Sequence, residues 1–240
     1  MKKIAIILPC YNEAESMSEK LTTLNSVLSS FPEFHFDVLI VDDGSKDATK
    51  DEAEKTGLVK VLSYTPNHGK GYAVRAGLEY SLEHFESDYY IFMDVDMSTD
   101  LSAVPTMIQA LEECPFVIGS RYDKDSKIVI KQPFKRRFIS KCSRIIIKTM
   151  FNFKVKDTQC GFKGMNKEVA SLLVEKGRIE RFAFDVEYLY ILKLNKIPYR
   201  SIPVIWSNDR GSTVKVVSSS SRFFKDLFKI KKHKKDYMIR

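Results

Sequence analysis

The chain has only four cysteines and one tryptophan, no paired-cysteine motif and no long apolar run, and each shortage excludes something. Cys10, Cys114, Cys142 and Cys160 never fall at Cys-x-x-Cys spacing, which removes a zinc ribbon or a thioredoxin-type redox motif. Free thiols in a reducing compartment are the resulting expectation. No apolar stretch approaches the roughly 18 residues that cross a bilayer. The opening MKKIAIILPCYNEAES imitates a secretory signal for a few residues. Pro9 and the polar run from Asn12 then interrupt it, and no small-residue cleavage site follows. There is no internal repeat, no clean boundary for a second domain, and no nucleic-acid-binding motif.

What is present is an ordinary globular composition: 240 residues, 44% hydrophobic and 29% charged, enough for a sizeable core. The net charge of +8 is unevenly spread. Between residues 124 and 156, eleven Lys/Arg face one acid, Asp125, giving +10. Between 222 and 240, eight Lys/Arg face Asp226 and Asp236, giving +6, which leaves −8 for the remainder. Segregated basic segments meet nucleic acid, anionic lipid or water. Both segments carry an aromatic and aliphatic helical stripe, so an anionic membrane surface is the expected partner and nucleic acid is not. The attachment is expected through residues 134–153 and 223–237.

The first half alternates two periodicities. KKIAIILP, FDVLIVDD, VKVLSY, YYIFMD and FVIGS read as strands, most of them apolar throughout. Between them lie helical patterns: residues 15–30 with Met17, Leu21, Leu24, Val27 and Leu28 on one face, a short polar helix over 47–55 with Ser45 as N-cap and Asp47 as a capping side chain, a helix after NHGKGY, and another over 102–113. Strands separated by helices imply βαβ units and a mostly parallel sheet. The second half is less regular. It holds a basic amphipathic helix in FKRRFISKCSRIIIKTMFNF, a short strand in CGFKGM, helices over 167–175 and 184–194, and a late edge strand in YRSIPVIWS marked by Pro203. The SSSS run before the last helix reads as a linker.

Ligands of open parallel sheets sit beyond the carboxyl ends of the strands, where Asp42, Asp43, Asp94 and Asp96 all fall. In YYIFMDVDMSTD, strand alternation puts Asp94 and Asp96 on one side, with Val95 opposite. Two like charges at a buried strand end repel unless a cation sits between them. A solvated turn is the plain alternative; a metal or acid-base site is the sharper one. Gly69-x-Gly71 resembles half of a dinucleotide fingerprint, but Val74 stands at the third glycine position and the loop follows the third strand. The glycines are instead expected to let the backbone approach a diphosphate, with Lys70 and Arg75 nearby.

Four motifs occur in order: PCYNEAES from Pro9, VDDGSKDAT from Val41, DVD at 94–96, and DTQCGFKGM from Asp157 followed by RFAFDVEYLY. Together they resemble the inverting glycosyltransferase family 2, and within it the polyprenyl-phosphate sugar transferases. DTQCGFK and RFAFDVE are most similar to the dolichyl-phosphate β-glucosyltransferase branch. The resemblance spans about residues 3–215. It implies an α/β GT-A fold with a mostly parallel, Rossmann-like central sheet and helices on both faces. Residues 1–215 form the catalytic domain, with 124–156 as a basic amphipathic insertion, and 216–240 form a basic tail.

The resemblance also implies roles. Asp96, second acid of the D-x-D motif, is the expected ligand of Mg2+ or Mn2+, with Asp94 nearer the donor ribose. An all-oxygen site suits either ion. Pro9, Tyr11, Glu13, Asp42, Asp43, Lys70, Asp94, Gln159 and Arg210 are expected around the nucleotide-sugar donor, and Lys215 flanks the same loop as Arg210. Arg121, Arg136 and Ser140 are expected at an acceptor phosphate, although the neighbouring Arg137 leaves the register open. Asp157 joins Asp94 and Asp96 as a catalytic residue. It acts as general base for a hydroxyl acceptor; a phosphate acceptor is already an anion, and Asp157 then orients groups. Transfer of one glucose from UDP-glucose to polyprenyl phosphate, by an enzyme peripheral to the cytoplasmic face of a membrane, is the expected activity. UDP-N-acetylglucosamine, GDP-mannose and a glycan or protein hydroxyl are the alternatives, and a non-catalytic nucleotide-binding membrane adaptor is the reading from a different class. The Gln-x-x-Arg-Trp motif of processive synthases is absent, which favours single transfer.

Overall fold

The computed structural model of the chain describes residues 1–131, 133–208 and 216–239. Its centre is a seven-stranded sheet built from β1 (Lys2–Cys10), β2 (Phe34–Asp42), β3 (Lys60–Ser63), β4 (Tyr89–Met93), β5 (Phe116–Ser120), β7 (Phe162–Asn166) and β8 (Arg200–Pro203). The order is β3-β2-β1-β4-β7-β5-β8. Neighbours run parallel except at β7, which is antiparallel to both β4 and β5. β8 is an edge, which accommodates Pro203.

Strand alternation divides the core between the two faces. Ile4, Ile6 and Leu8 of β1 pack with Met17, Leu21 and Leu24 of α1 (Ala14–Leu28) and Val104, Met107 and Ile108 of α4 (Ala103–Glu113). Ala5 and Ile7 face the other way, towards α3 (Lys70–His84), α5 (Phe134–Phe151), α6 (Lys167–Lys176) and α7 (Phe184–Leu194). Burial on both faces is why the central strands read as unbroken apolar runs.

Several local expectations change. β6 (Lys127–Ile130), unforeseen, pairs in parallel with β9 (Ile205–Ser207) in a separate two-stranded sheet. The polar helix α2 covers Thr49–Lys55, and Ser45 does not cap it: the Ser45 hydroxyl accepts the Asn12 N–H at 2.9 Å. Asp47 organises that end instead, accepting the N–H of Thr49 at 3.1 Å and of Ala14 at 3.2 Å, so one carboxylate ties the starts of α1 and α2 together. The serine run is not a linker but the first turns of α8 (Val216–Lys232). Its apolar stripe is used internally: Phe223, Leu227 and Ile230 join the main core with Tyr237. Tyr237 donates its hydroxyl to Glu187 at 2.6 Å, and Glu187 also accepts the N–H groups of Arg178 and Ile179 at 2.9 Å each. Glu187 is thereby occupied in fastening the tail to the 178–179 segment.

Candidate active site

The strand order reverses between β1 and β4, and the crevice beyond the carboxyl ends at such a reversal is where an open parallel sheet takes its ligand. Asp94 and Asp96 lie there, but not as neighbours on one strand face. β4 ends at Met93, and residues 94–97 form a tight turn closed by the Met97 N–H on the Asp94 carbonyl at 3.0 Å. Met97 accepts a positive φ of 49° to make it. The carboxylates are still close enough to interact: burial first, and then the Asp94 charge, push the Asp96 carboxyl above the ordinary aspartate range. Asp96 accepts the Ser98 N–H at 2.9 Å. Gly161 is what lets the next segment reach this turn. Its carbonyl takes the Asp94 N–H at 2.9 Å, and a Cβ on Gly161 would stand 2.0 Å from Asp94 Oδ2.

Asp94 is ion-paired to Lys70 at the start of α3. Behind Lys70 comes Asp185 of α7, and behind that Lys163 of β7, which is fully buried and paired to Asp185. Burial opposes the Lys70 charge, but Asp94 and then Asp185 outweigh it and raise its pKa. Charges thus alternate from the core to the crevice: Lys163, Asp185, Lys70, Asp94. Lys163 escaped sequence reasoning, though a lysine at the centre of the apolar CGFKGM segment was a usable signal.

The glycines of the Gly69-Lys70-Gly71 loop serve a purpose other than the one expected. A Cβ on Gly71 would sit 2.5 Å from the Ile179 carbonyl, and one on Gly69 2.8 Å from the Glu180 carbonyl, so both admit the protein's own 179–181 segment. Gly69 also carries a φ of 115° that favours glycine. Asp43 holds this loop, accepting from Asn67 Nδ2 at 2.7 Å, His68 N–H at 2.9 Å and Gly69 N–H at 2.7 Å. Asp42 accepts Ser45 N–H at 3.0 Å and the Ser63 hydroxyl at 2.9 Å. Pro9 is buried opposite Val41, Tyr11 is 37% exposed beyond the end of β1, and Glu13 pairs with Lys20 at 2.9 Å. Arg75 donates to the Gly177 carbonyl at 3.0 Å.

Asp157 is 1% exposed and joined to Arg121 through a two-point contact, Nε to Oδ2 at 2.7 Å and a terminal nitrogen to Oδ1 at 2.9 Å. It also accepts the N–H groups of Arg121 at 3.1 Å and Gln159 at 3.2 Å. Burial alone would raise the Asp157 pKa, but the Arg121 charge and hydrogen bonds win and hold it below the usual value. Arg121, expected at an acceptor phosphate, and Asp157, expected as a separate catalytic group, are therefore one unit. Trp206 lies beside them, 5.5 Å from the Arg121 guanidinium and bridged to Thr99, so the Arg121 unit adjoins the turn carrying Asp96.

Arg136 and Ser140 lie one turn apart on α5, both half-buried, whereas Arg137 is exposed. A residue that sequence reasoning passed over, Arg144, continues the row one turn further and sits 3.7 Å over the Tyr122 ring. Arg210 and Lys215 lie outside the described residues.

Among the described residues no three His, Cys, Asp or Glu side chains form a metal cage of their own. The Asp94–Asp96 turn nevertheless suits a divalent cation. Its donors are oxygens, and Asp96 carries a charge that its surroundings disfavour.

The sequence matches the family description "Glycosyl transferase family 2" over residues 5–173. It is 32% identical over 244 residues to a dolichyl-phosphate beta-glucosyltransferase of Dictyostelium discoideum, covering 95% of this chain and 73% of that protein. It is 30% identical over 247 residues to the human protein of the same name, covering 96% and 75%. Among solved structures, glucosyl-3-phosphoglycerate synthase from Mycobacterium tuberculosis, in complex with Mn2+, uridine diphosphate and phosphoglyceric acid, superimposes with a TM-score of 0.69 at 17% identity over 95% of this chain and 78% of that one. Mannosyl-3-phosphoglycerate synthase from Rubrobacter xylanophilus gives 0.70 at 16% identity over 100% and 76%.

Proposed function

This chain belongs to glycosyl transferase family 2, and on that premise we propose that it moves a single glucose from UDP-glucose to a polyprenyl phosphate of the dolichyl type, with inversion at the anomeric carbon. It is a glycosyltransferase with the GT-A fold. The shared name of the relatives supports the sugar and the acceptor. The observation that carries the reading is the employment of Asp157. A carboxylate buried under a two-point arginine contact and held below its normal pKa is a poor proton acceptor. The site therefore suits an acceptor that arrives already ionised, such as a phosphate, over a neutral hydroxyl that needs a base.

Asp96, with Asp94 beside it, is the residue that would hold Mg2+ or Mn2+, and the ion when bound supplies Lewis-acid stabilisation to the departing diphosphate. The Mn2+ and uridine diphosphate in the structural neighbour support that assignment. Lys70, kept protonated by Asp94 and Asp185, adds fixed positive charge on the donor side. Asp43 contributes by shaping the 67–69 loop, Asp42 by shaping the turn at Ser45, and Tyr11 offers an exposed ring to the nucleotide at the mouth of β1. Pro9, Glu13, Gln159 and Arg210 complete the proposed donor environment. Arg121 and Asp157 frame the sugar, and Arg136 and Ser140 take the acceptor phosphate. The decisive assay offers labelled UDP-glucose, UDP-N-acetylglucosamine and GDP-mannose to a short polyprenyl phosphate, with and without Mn2+. Glucose from UDP-glucose is expected to appear on the lipid phosphate in the presence of metal, and none on the dephosphorylated polyprenol. Equal transfer to the polyprenol would overturn the phosphate reading.

The acceptor's chain requires a membrane surface. No helix among the described residues is long and apolar enough to cross a membrane. α5 and β6 supply another means: Phe134, Phe138, Val129 and Ile145 are 78%, 61%, 66% and 57% exposed, amid Lys131, Arg137 and Lys141. Peripheral attachment to the cytoplasmic face is proposed through this surface. The tail contributes less than its sequence promised, because Phe223, Leu227 and Ile230 are buried and Phe228 alone of that stripe is strongly exposed. Flotation with anionic liposomes at low salt is expected for the native chain and is expected to fall at least fivefold for a Phe134→Ser, Phe138→Ser double variant. Absence of flotation by the native chain would remove the proposal.

A further inference from the structure

Arg121 was expected to meet the acceptor phosphate, yet its charge is matched by Asp157 at two points. A phosphate dianion entering beside that neutralised pair needs another cation. We infer that Arg144 supplies it, as the inner member of an acceptor-phosphate row formed with Arg136 and Ser140 on α5; the inference rests on the polyprenyl-phosphate reading above.

Four observations converge on Arg144. Its guanidinium lies 3.7 Å over the Tyr122 ring, whose other neighbour is the Arg121 guanidinium at 5.6 Å. One aromatic ring thus fixes Arg144 beside the Arg121–Asp157 unit. Secondly, among the described residues no carboxylate pairs with Arg144 and none accepts a hydrogen bond from its buried Nε. A buried donor on a cation without an acceptor is costly, and an incoming anion relieves that cost. Thirdly, residues 136, 140 and 144 repeat every four positions and so share one helix face. The two arginines stand about 12 Å apart along the axis and bracket Ser140. Fourthly, the row lies on the inward side of α5: Ser143 and Ile147 beside it are buried, whereas Phe134, Phe138 and Ile145 on the opposite side are exposed. A planar, stacked guanidinium suits a phosphate because it offers two parallel donors while its face stays on the ring.

The test uses the full chain with Arg144→Ala and Arg144→Lys, and a short prenyl phosphate as probe. Binding without turnover is followed by the fluorescence of Trp206, the single tryptophan, which lies 5.5 Å from Arg121. Steady-state kinetics give separate KM values for donor and acceptor. The alanine variant is expected to weaken acceptor binding and raise acceptor KM by about tenfold or more, with donor KM within about twofold of native. Lysine is expected to recover only part of the loss, since an ammonium neither forks nor stacks. Inorganic phosphate as competitor separates recognition of the head group alone from recognition of the lipid phosphate: competition is expected to be weaker than by the prenyl phosphate and to diminish in Arg144→Ala. Should the alanine variant fail to fold, the lysine variant decides, and an acceptor KM equal to native there would overturn the inference. Native acceptor affinity in a folded Arg144→Ala overturns it too and leaves the proposed function standing. A native chain inactive on every polyprenyl phosphate removes the proposed function itself.

Discussion

Asp96→Ala is expected to lower transfer by about a thousandfold or more while leaving the protein folded. The fold tolerates the change because the side chain lies in a turn and its hydrogen bond reaches only to Ser98, two residues on. The chemistry does not tolerate it, because the departing diphosphate then loses the ion that Asp96 would hold. Stability offers an independent check, with a sign that a purely structural carboxylate would reverse. Burial, and next the charge of Asp94, raise the Asp96 pKa in the folded state. The folded protein therefore binds that proton more tightly than the unfolded chain does, and the ionised form costs stability at neutral pH. Asp96→Asn is expected to keep or slightly raise Tm at pH 7, with the gain vanishing once pH falls below the unfolded aspartate value of about 3.9. Nucleoside diphosphate titrations with and without Mn2+ complete the measurement: the metal-dependent gain in affinity is expected to disappear. Undiminished turnover would refute the assignment.

The second large effect is expected from Arg121→Ala. It leaves Asp157 in a site only 1% exposed without its counter-ion, and breaking a buried pair on one side costs about 3–5 kcal/mol. Removing both partners, as Arg121→Ala with Asp157→Ala, is expected to cost less than Arg121→Ala alone, because no charge is stranded. The pH dependence follows from the opposite shift to that of Asp96. Asp157 is held below its normal pKa, so its contribution is fully present above the unfolded value of about 3.9 and is lost as pH drops through the lower folded value. Urea denaturation is expected to show the Arg121→Ala deficit undiminished at pH 7 and shrinking below pH 4. A deficit independent of pH would mean that the guanidinium contributes by packing on Trp206 and Tyr122 instead. Activity is expected to fall with either single substitution, since the unit borders the turn bearing Asp96.

These two sites also mark how far the sequence could be read. Hydrophobic period and punctuation located nearly every element of the first half, because a strand buried on both faces and a helix buried on one leave different repeats in the chain. The ambiguity there was small and had a local cause: Ser45 and Asp47, two residues apart, could each satisfy the helix start, and only the path of the Asn12 turn decides for Asp47. The placing of DVD at a strand's carboxyl end was legible for a related reason. Adjacent carboxylates after an apolar run are electrostatically awkward whichever fold surrounds them.

The amino-acid order alone determined where most strands and helices form, that the sheet is mostly parallel, and that acids gather at its carboxyl edge. Only the tertiary structure decided what those acids meet. β7 enters antiparallel between β4 and β5, and this carries residues 157–161 against the turn after β4 and brings Asp157 to Arg121 across 36 positions of chain. The same insertion buries Lys163 behind Asp185, and the seating of α5 lays Arg144 on Tyr122. Periodicity is a property of neighbours in the chain. Charge pairing is a property of neighbours in space, and the order in which strands assemble to bury both faces of the sheet determines which residues become such neighbours.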